Sequence, residues 1–277
     1  MAAADILGLM VPLTYLVMLG VEKIAPARAQ PQVRGWGWIG ALFLVVSGVI
    51  QSVTPLLIPP DWLASHRLFD LGGLGPVWGA MLGYLVLSFV SFVWHWSAHH
   101  FGLMWRAFHQ LHHAPHRVDI SGAMVFHPLE QLAFALMGVA VTTLLLGLDP
   151  LAAGITGYVA AFYSLFQHWN VRTPRWMGLF IQRPEAHAAH HERGVHARNY
   201  ADFPLWDMIF GSYFNPRSFE GEAGFDAPAQ GRYLAMLGFV DVNAPVNARL
   251  GRRAAGLVPD ASPTSAPDSL LKGPSAP

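Results

Sequence analysis

The chain has 277 residues, of which 53% are hydrophobic and only 12% charged, whereas a water-soluble domain carries charge on about a quarter of its residues; an ordinary soluble globule is excluded. Seventeen basic residues balance seventeen acidic ones, so no net basic field or binding motif points to DNA or RNA, and nucleic-acid binding is set aside. The absence of cysteine removes disulfides, thiolate zinc sites, iron–sulfur clusters and a cysteine nucleophile at once, leaving nitrogen and oxygen to hold any metal.

Crossing a bilayer core of about 30 Å takes roughly 20 mainly apolar residues. Residues 6–21 form a short first run; with acidic Asp5 ahead of it, no positive leader and no clear cleavage site, it reads as a membrane helix rather than a signal peptide. Residues 36–58 and 71–93 are full-length runs without a charge. The stretch 132–166 holds a single charge, Asp149, followed by Pro150. It is too long for one span and predicts a transmembrane hairpin, 132–167, with its tip at Asp149-Pro150. The expected fold is therefore all-α, an integral membrane bundle of four to five transmembrane helices, with residues 1–70 forming its N-terminal part. Gly72, Gly73 and Gly75 open an apolar helix and read as aids to helix packing, not as a nucleotide loop.

Lys23, Arg28 and Arg34 lie between the first two runs, while Asp61, Arg67 and Asp70 make the next loop slightly acidic. The positive-inside rule then places the first loop in the cytoplasm. Counting onward, the chain meets that same face before His95, after Glu130 and before Gln167, and eleven of the seventeen basic residues follow His168. Trp36, Trp94, Trp96, Trp169 and Trp176 flank the runs as interfacial anchors do. From Ala254 the chain turns rich in Pro, Ser and Ala, which predicts a disordered tail over 254–277 after an extension at 218–253.

Thirteen of the fourteen histidines fall between His95 and His196. His95 and His99 stand at i, i+4, which on a helix puts two imidazoles on one face. His109, His112 and His113 form His-x-x-His-His, and His187, His190 and His191 repeat it. His127 and His168 are single. One such histidine is ordinarily a hydrogen-bonded interfacial residue, but three clusters with ligand spacing on one side of a membrane predict a histidine-rich, metal-binding helical cap on the cytoplasmic face. So many imidazoles exceed the four to six positions of one ion and imply two. Imidazole suits iron, zinc, copper and nickel alike. The chain holds no Glu-x-x-His, which excludes the soluble di-iron carboxylate pattern, and His191-Glu192 reaches His196 one residue too late for the zinc-protease motif.

His-x-x-x-His, two His-x-x-His-His clusters, Phe-His-Pro-Leu-Glu at 126–130, Asn199-Tyr200 and the run from Trp206-Asp207 to Ser212 occur in order. Together they resemble the fatty acid hydroxylase/sterol desaturase superfamily of membrane proteins over roughly 89–216. One departure is that no Arg follows His95, where related bacterial sequences often carry one. The resemblance implies a catalytic domain over 71–217 with a histidine-bound di-iron centre, zinc being able to replace iron on purification. It implies dioxygen as co-substrate, a lipid drawn from the bilayer, hydroxylation or desaturation of a C–H bond, and electrons from a separate reductase or small carrier. Carried over by motif, His95, His99, His109, His112, His113, His168, His187, His190 and His191 would be catalytic metal ligands, with His127 either a ligand or just behind one. Asn199 and Asp207 would orient ligand imidazoles by hydrogen bonding. His100, His116 and His196 stand between a supporting and a surface role, and Glu130, Glu185 and Glu192 read as solvated carboxylates rather than proton relays. The rival readings are a histidine-rich membrane metal transporter or sensor, a bis-histidine haem protein, and a family member that binds metal without catalysis. Transporters place ionisable groups near the midplane, and these spans hold almost none.

Overall fold

A computed structural model describes residues 3–243, and among them the chain forms helices and no strand. The predicted tail over 254–277 lies outside the described residues. In chain order the helices are α1 (Ala3–Ile24), α2 (Trp36–Val53), α3 (Pro60–His66), α4 (Gly75–His100), α5 (Gly102–Met104), α6 (Gln110–His113), α7 (Pro128–Val139), α8 (Pro150–His168), α9 (Pro184–His190), α10 (Leu205–Phe210) and α11 (Tyr233–Leu237).

Among the described residues four stretches are long and apolar enough to cross a membrane: Leu7–Ile24, Trp36–Leu57, Gly72–His100 and Pro128–Leu145. The N-terminal run is thus among them. The second hairpin arm, α8, is not; Thr156, Tyr158, Tyr163, Ser164 and Gln167 interrupt its apolar sequence, and it packs between α1 and α4. Outward faces carry stripes at helical spacing, Leu9, Leu13 and Leu16 on α1, Leu42, Val45 and Val49 on α2, and Val77, Met81 and Leu85 on α4, all exposed. Such faces call for a hydrocarbon solvent, because in water they would form an apolar patch far larger than a soluble monomer tolerates.

The seam between α4 and α8 depends on small residues. A β-carbon at Gly79 would lie 2.9 Å from the Ala152 methyl, and one at Gly83 2.6 Å from Thr156 Oγ1. Glycine there lets the two backbones approach, as small residues four apart do between membrane helices. The expected tip is present: Asp149 caps α8, its Oδ1 accepting from Leu151 N at 2.8 Å and Ala152 N at 3.3 Å, with Pro150 at the first helical position. Gly147 turns the chain with φ 57° and sits against the Phe69 carbonyl, where a side chain would collide.

The helix ends on the histidine side are tied together by buried polar groups. Glu22 Oε2, at the end of α1, accepts from Ile120 N at 3.0 Å and Asn170 N at 2.8 Å. Trp36 Nε1, at the start of α2, donates to Asp119 Oδ1 at 2.8 Å. Beyond the helices, Phe225 N donates to the Ala114 carbonyl and Gln110 Nε2 to the Val240 carbonyl, so the chain after residue 217 packs under α6. These ties join the ends of α1 and α2, the segment that follows α8, and the surroundings of α6.

Candidate metal centre

Helix geometry explains how three clusters become two groups. At about 100° per residue, i+4 lies roughly 40° to one side of i and i+3 roughly 60° to the other, so the two neighbours can be sent to different partners. His95 and His99 ride the last turns of α4, which runs on to His100 instead of stopping at 93. His109 ends a five-residue π turn, Trp105–His109, that leads into α6, an irregularity frequent at functional sites. The i, i+4 pairs His95/His99 and His109/His113 enter a first group, joined by His190. The pair His187/His191 enters a second group with His168, from the end of α8, and His112. Each His-x-x-His-His thus gives its outer pair to one group and its middle residue to the other. Within either group one nitrogen per residue lies within 4.8 Å of all the others.

The outer ring nitrogens fix the tautomers. His95 Nδ1 donates to the Tyr200 carbonyl at 2.7 Å, His190 Nδ1 to the Arg198 carbonyl at 2.7 Å, and His109 Nδ1 to Glu130 Oε1 at 2.9 Å. In the second group His168 Nδ1 donates to the Ser164 carbonyl at 2.7 Å, His187 Nδ1 to Gln182 Oε1 at 2.6 Å and His112 Nδ1 to the Val125 carbonyl at 3.2 Å. Carbonyl and carboxylate oxygens only accept, so the proton sits on Nδ1 and the Nε2 lone pair faces inward. Those Nε2 atoms approach one another at 3.1 Å for His112–His168, 3.0 Å for His168–His187, 3.1 Å for His109–His113 and 3.2 Å for His113–His190. Where both nitrogens present lone pairs, no hydrogen bond is available to either; a shared cation satisfies them. Two nitrogens about 2.1 Å from one ion and at right angles stand about 3.0 Å apart. The donor set therefore fits two histidine-bound metal ions.

Electrostatics agree. Burial first, and neighbouring imidazoles second, push the pKa of His112, His113, His187 and His191 well below the usual imidazole range, and burial does the same for His190. The rings are held neutral, the form a metal requires. Phe126 stacks on His112 with centroids 3.9 Å apart, and the Tyr200 ring lies 5.4 to 5.9 Å from His99, His95, His190 and His100, closing the site with aromatic walls.

Several sequence expectations land elsewhere. His127 is in neither group: its Nδ1 accepts from Leu129 N at 3.1 Å, making it the cap of α7, and its Nε2 meets the Leu237 carbonyl at 3.3 Å. Asn199 and Asp207 touch no ligand imidazole. Asn199 binds the Ala186 and Phe214 carbonyls and the Phe214 N–H, bracing the loop whose Arg198 carbonyl receives His190. Asp207 accepts from Tyr200 N, Ala201 N and Ser212 Oγ, fixing the segment whose Tyr200 carbonyl receives His95. Each acts one bond further out than expected. His100 is exposed and folded back on the Trp96 carbonyl, and His116 donates to the Phe225 carbonyl.

Glu130, read as a solvated carboxylate, is fully buried, accepts from His109 and from Trp94 Nε1, and has no partner for Oε2 among the described residues. Its signal in the sequence was a lone charge at the head of an apolar run. Gln182 was missed outright, having no spacing relation to a ligand cluster that singles it out. His196 lies outside both groups but against one: its Nδ1 is 3.1 Å from His113 Nδ1, its Nε2 is buried with no partner among the described residues, and its backbone has φ 42°. With His113 Nε2 turned inward, His113 Nδ1 donates and His196 accepts.

The fatty acid hydroxylase family profile matches residues 80–212, which contain every member of both groups. The chain is 28% identical over 148 residues to a cholesterol 25-hydroxylase-like protein from Danio rerio, covering 51% of this chain and 57% of that one. It is 27% identical over 157 residues to a very-long-chain aldehyde decarbonylase from Oryza sativa subsp. indica, covering 52% and 59%. The chain thus spans a little over half the length of these relatives. No solved structure matches.

Proposed function

Because residues 80–212 match the fatty acid hydroxylase family, we propose that the chain is a membrane-bound di-iron oxygenase of the fatty acid hydroxylase/sterol desaturase superfamily that hydroxylates or desaturates a lipid C–H bond, with its histidine layer on the cytoplasmic face. The observation that carries this reading is the pair of inward-facing imidazole groups, each within 4.8 Å. Iron held there would supply the redox chemistry that turns dioxygen on an unactivated carbon; zinc, which has no redox chemistry of its own, would only replace it on purification. Addition of oxygen gives an alcohol; removal of a second, neighbouring hydrogen gives an alkene.

The protein's own part is positioning. His95, His99, His109, His113 and His190 hold one ion, and His112, His168, His187 and His191 the other. Backbone carbonyls, Glu130 and Gln182 hold the rings in the tautomer that ligates. Phe126 and Tyr200 keep water from the ligand rings. Apolar helix faces give a lipid a path from the bilayer to the helix ends, and a separate reductase or small carrier supplies the electrons. The charge-poor spans speak against the transporter reading.

Elemental analysis of the detergent-purified chain from iron-supplemented cells tests the centre. About two iron or zinc ions per chain are expected, and one or none overturns it. His112→Ala is expected to abolish lipid oxidation and lower metal content while leaving membrane insertion intact; full turnover by that variant would sink the assignment.

A further inference from the structure

Beside the second histidine group lies an open cavity of about 500 Å³ whose wall includes His168. Its size falls within the ~300–1,000 Å³ range of small-molecule sites. Trp169, Val171, Pro184, Ala188 and Phe219 give the wall an apolar part, and Arg28, Arg172 and Arg217 give it three guanidinium groups.

Two cations close to this wall are already engaged. Arg183 is buried and pairs with Glu185 at 3.0 Å, while Glu185 also accepts from Thr173 N and Oγ1. Arg28 lies 4.7 Å over the Phe219 ring, donates to the Gly221 carbonyl and feels the charge of Glu220. With the carboxylates Glu185 and Glu220 accounted for, Arg172 and Arg217 are left: among the described residues neither has an ion pair or side-chain hydrogen bond. Two unpaired guanidinium groups on one ligand-sized cavity match the planar oxygens of a carboxylate or phosphate, which arginine grips bidentately.

We propose that this cavity binds an acidic headgroup, carboxylate or phosphate, and that Arg172 and Arg217 recognise it. The apolar wall takes the first carbons behind that headgroup, and the contact with His168 sets it beside the metal centre. The inference rests on the oxygenase reading only in making the bound amphiphile the substrate; the cavity's preference for acid stands apart from it.

Calorimetric titration of the purified full chain in neutral detergent, with octanoate, octyl phosphate and octanol, tests the proposal. At least one of the two acids is expected to bind tenfold or more tightly than octanol, and Arg172→Gln with Arg217→Gln to remove that preference. Both side chains are exposed, so thermal unfolding of the double variant is expected to match the parent, and the acid-against-alcohol comparison on the parent carries the test by itself. Inorganic phosphate competing as strongly as octyl phosphate identifies a free anion as the ligand; competition by the octyl compound alone identifies a lipid headgroup. Equal binding of acid and alcohol, or an acid preference unchanged in the double variant, overturns the proposal. No turnover is read, so failure of the oxygenase assignment and failure of this one are separate results.

Discussion

The two histidine groups use the same residue type and the same helical spacing, yet they are supported differently. The first has five imidazoles and a buried carboxylate, Glu130, behind His109. The second has four imidazoles, three of them backed by neutral oxygens, those of Ser164, Gln182 and Val125, and borders a cavity with unpaired arginines. A carboxylate accepts a hydrogen bond about twice as strongly as a neutral oxygen and makes the imidazole a better donor to metal. The first group would therefore hold an ion the more tightly, while the second, all four of whose members are buried, meets a cavity only through His168. Local spacing sets where ligands sit, while the partner on the outer nitrogen sets how firmly each ion is held.

Removing a ligand gives the largest effect and separates the groups. His113→Ala is expected to empty the first group and His187→Ala the second, each lowering metal content from about two ions per chain towards one, with loss of lipid oxidation in both. Elemental analysis alongside an activity assay checks this. If either variant lost both ions together, the groups would be one coupled cluster rather than two sites.

A smaller, one-sided effect is expected at Glu130. Glu130→Gln keeps an oxygen for His109 Nδ1 but removes the charge, and loss of such a partner typically costs about ten- to a hundredfold in metal affinity. Competition titration with a chromophoric chelator should show one weakened ion and one unchanged. Weakening of both would mean that the carboxylate stabilises the whole layer.

His196 sharpens the contrast by about one further step down. His196→Phe removes the acceptor for His113 Nδ1, and the first group should lose about tenfold in affinity. Asparagine offers Oδ1 where histidine has Nδ1 and tolerates positive φ, so His196→Asn should restore most of it. The Co(II) absorption spectrum of the first group should shift in the Phe variant and return in the Asn variant; a purely packing role for His196 would leave the spectrum unmoved.

Much of this arrangement was legible in the residues and much was not, for a physical reason. The i, i+4 pairs, the hairpin tip at Asp149 and the membrane runs follow from local rules of helix geometry, capping and hydropathy, and each depends on neighbours in sequence. The exchange of His112 and His190 between groups needs the relative placement of α6 and α9. The outer partners depend on the fold: Glu130 is 21 residues from His109 and the Tyr200 carbonyl 105 from His95. His127 shows the converse. Its Phe-His-Pro context suggested a ligand, but the proline that follows it opens α7 and leaves the imidazole to cap that helix.

The smallest expected change in metal content lies at Gly83, where the two arms of the layer are held in register. Helix α4 carries His95 and His99 of the first group, α8 carries His168 of the second, and they meet through Gly79 and Gly83. A methyl at Gly83 would stand 2.6 Å from Thr156 Oγ1 and 2.8 Å from a Leu148 methyl. Thr156 Oγ1 is engaged with the Ala152 carbonyl at 2.9 Å, so the helices must part slightly. Overpacking of this kind typically costs about 1–3 kcal/mol. Gly83→Ala should therefore lower the unfolding midpoint in detergent. Metal content should stay close to the parent's, because the histidines sit three or more turns further along α4 and α8, and His95 and His168 are fixed by their own carbonyl partners. Selective loss of the second ion in Gly83→Ala would show instead that the seam, and not the outer hydrogen bonds, places His168.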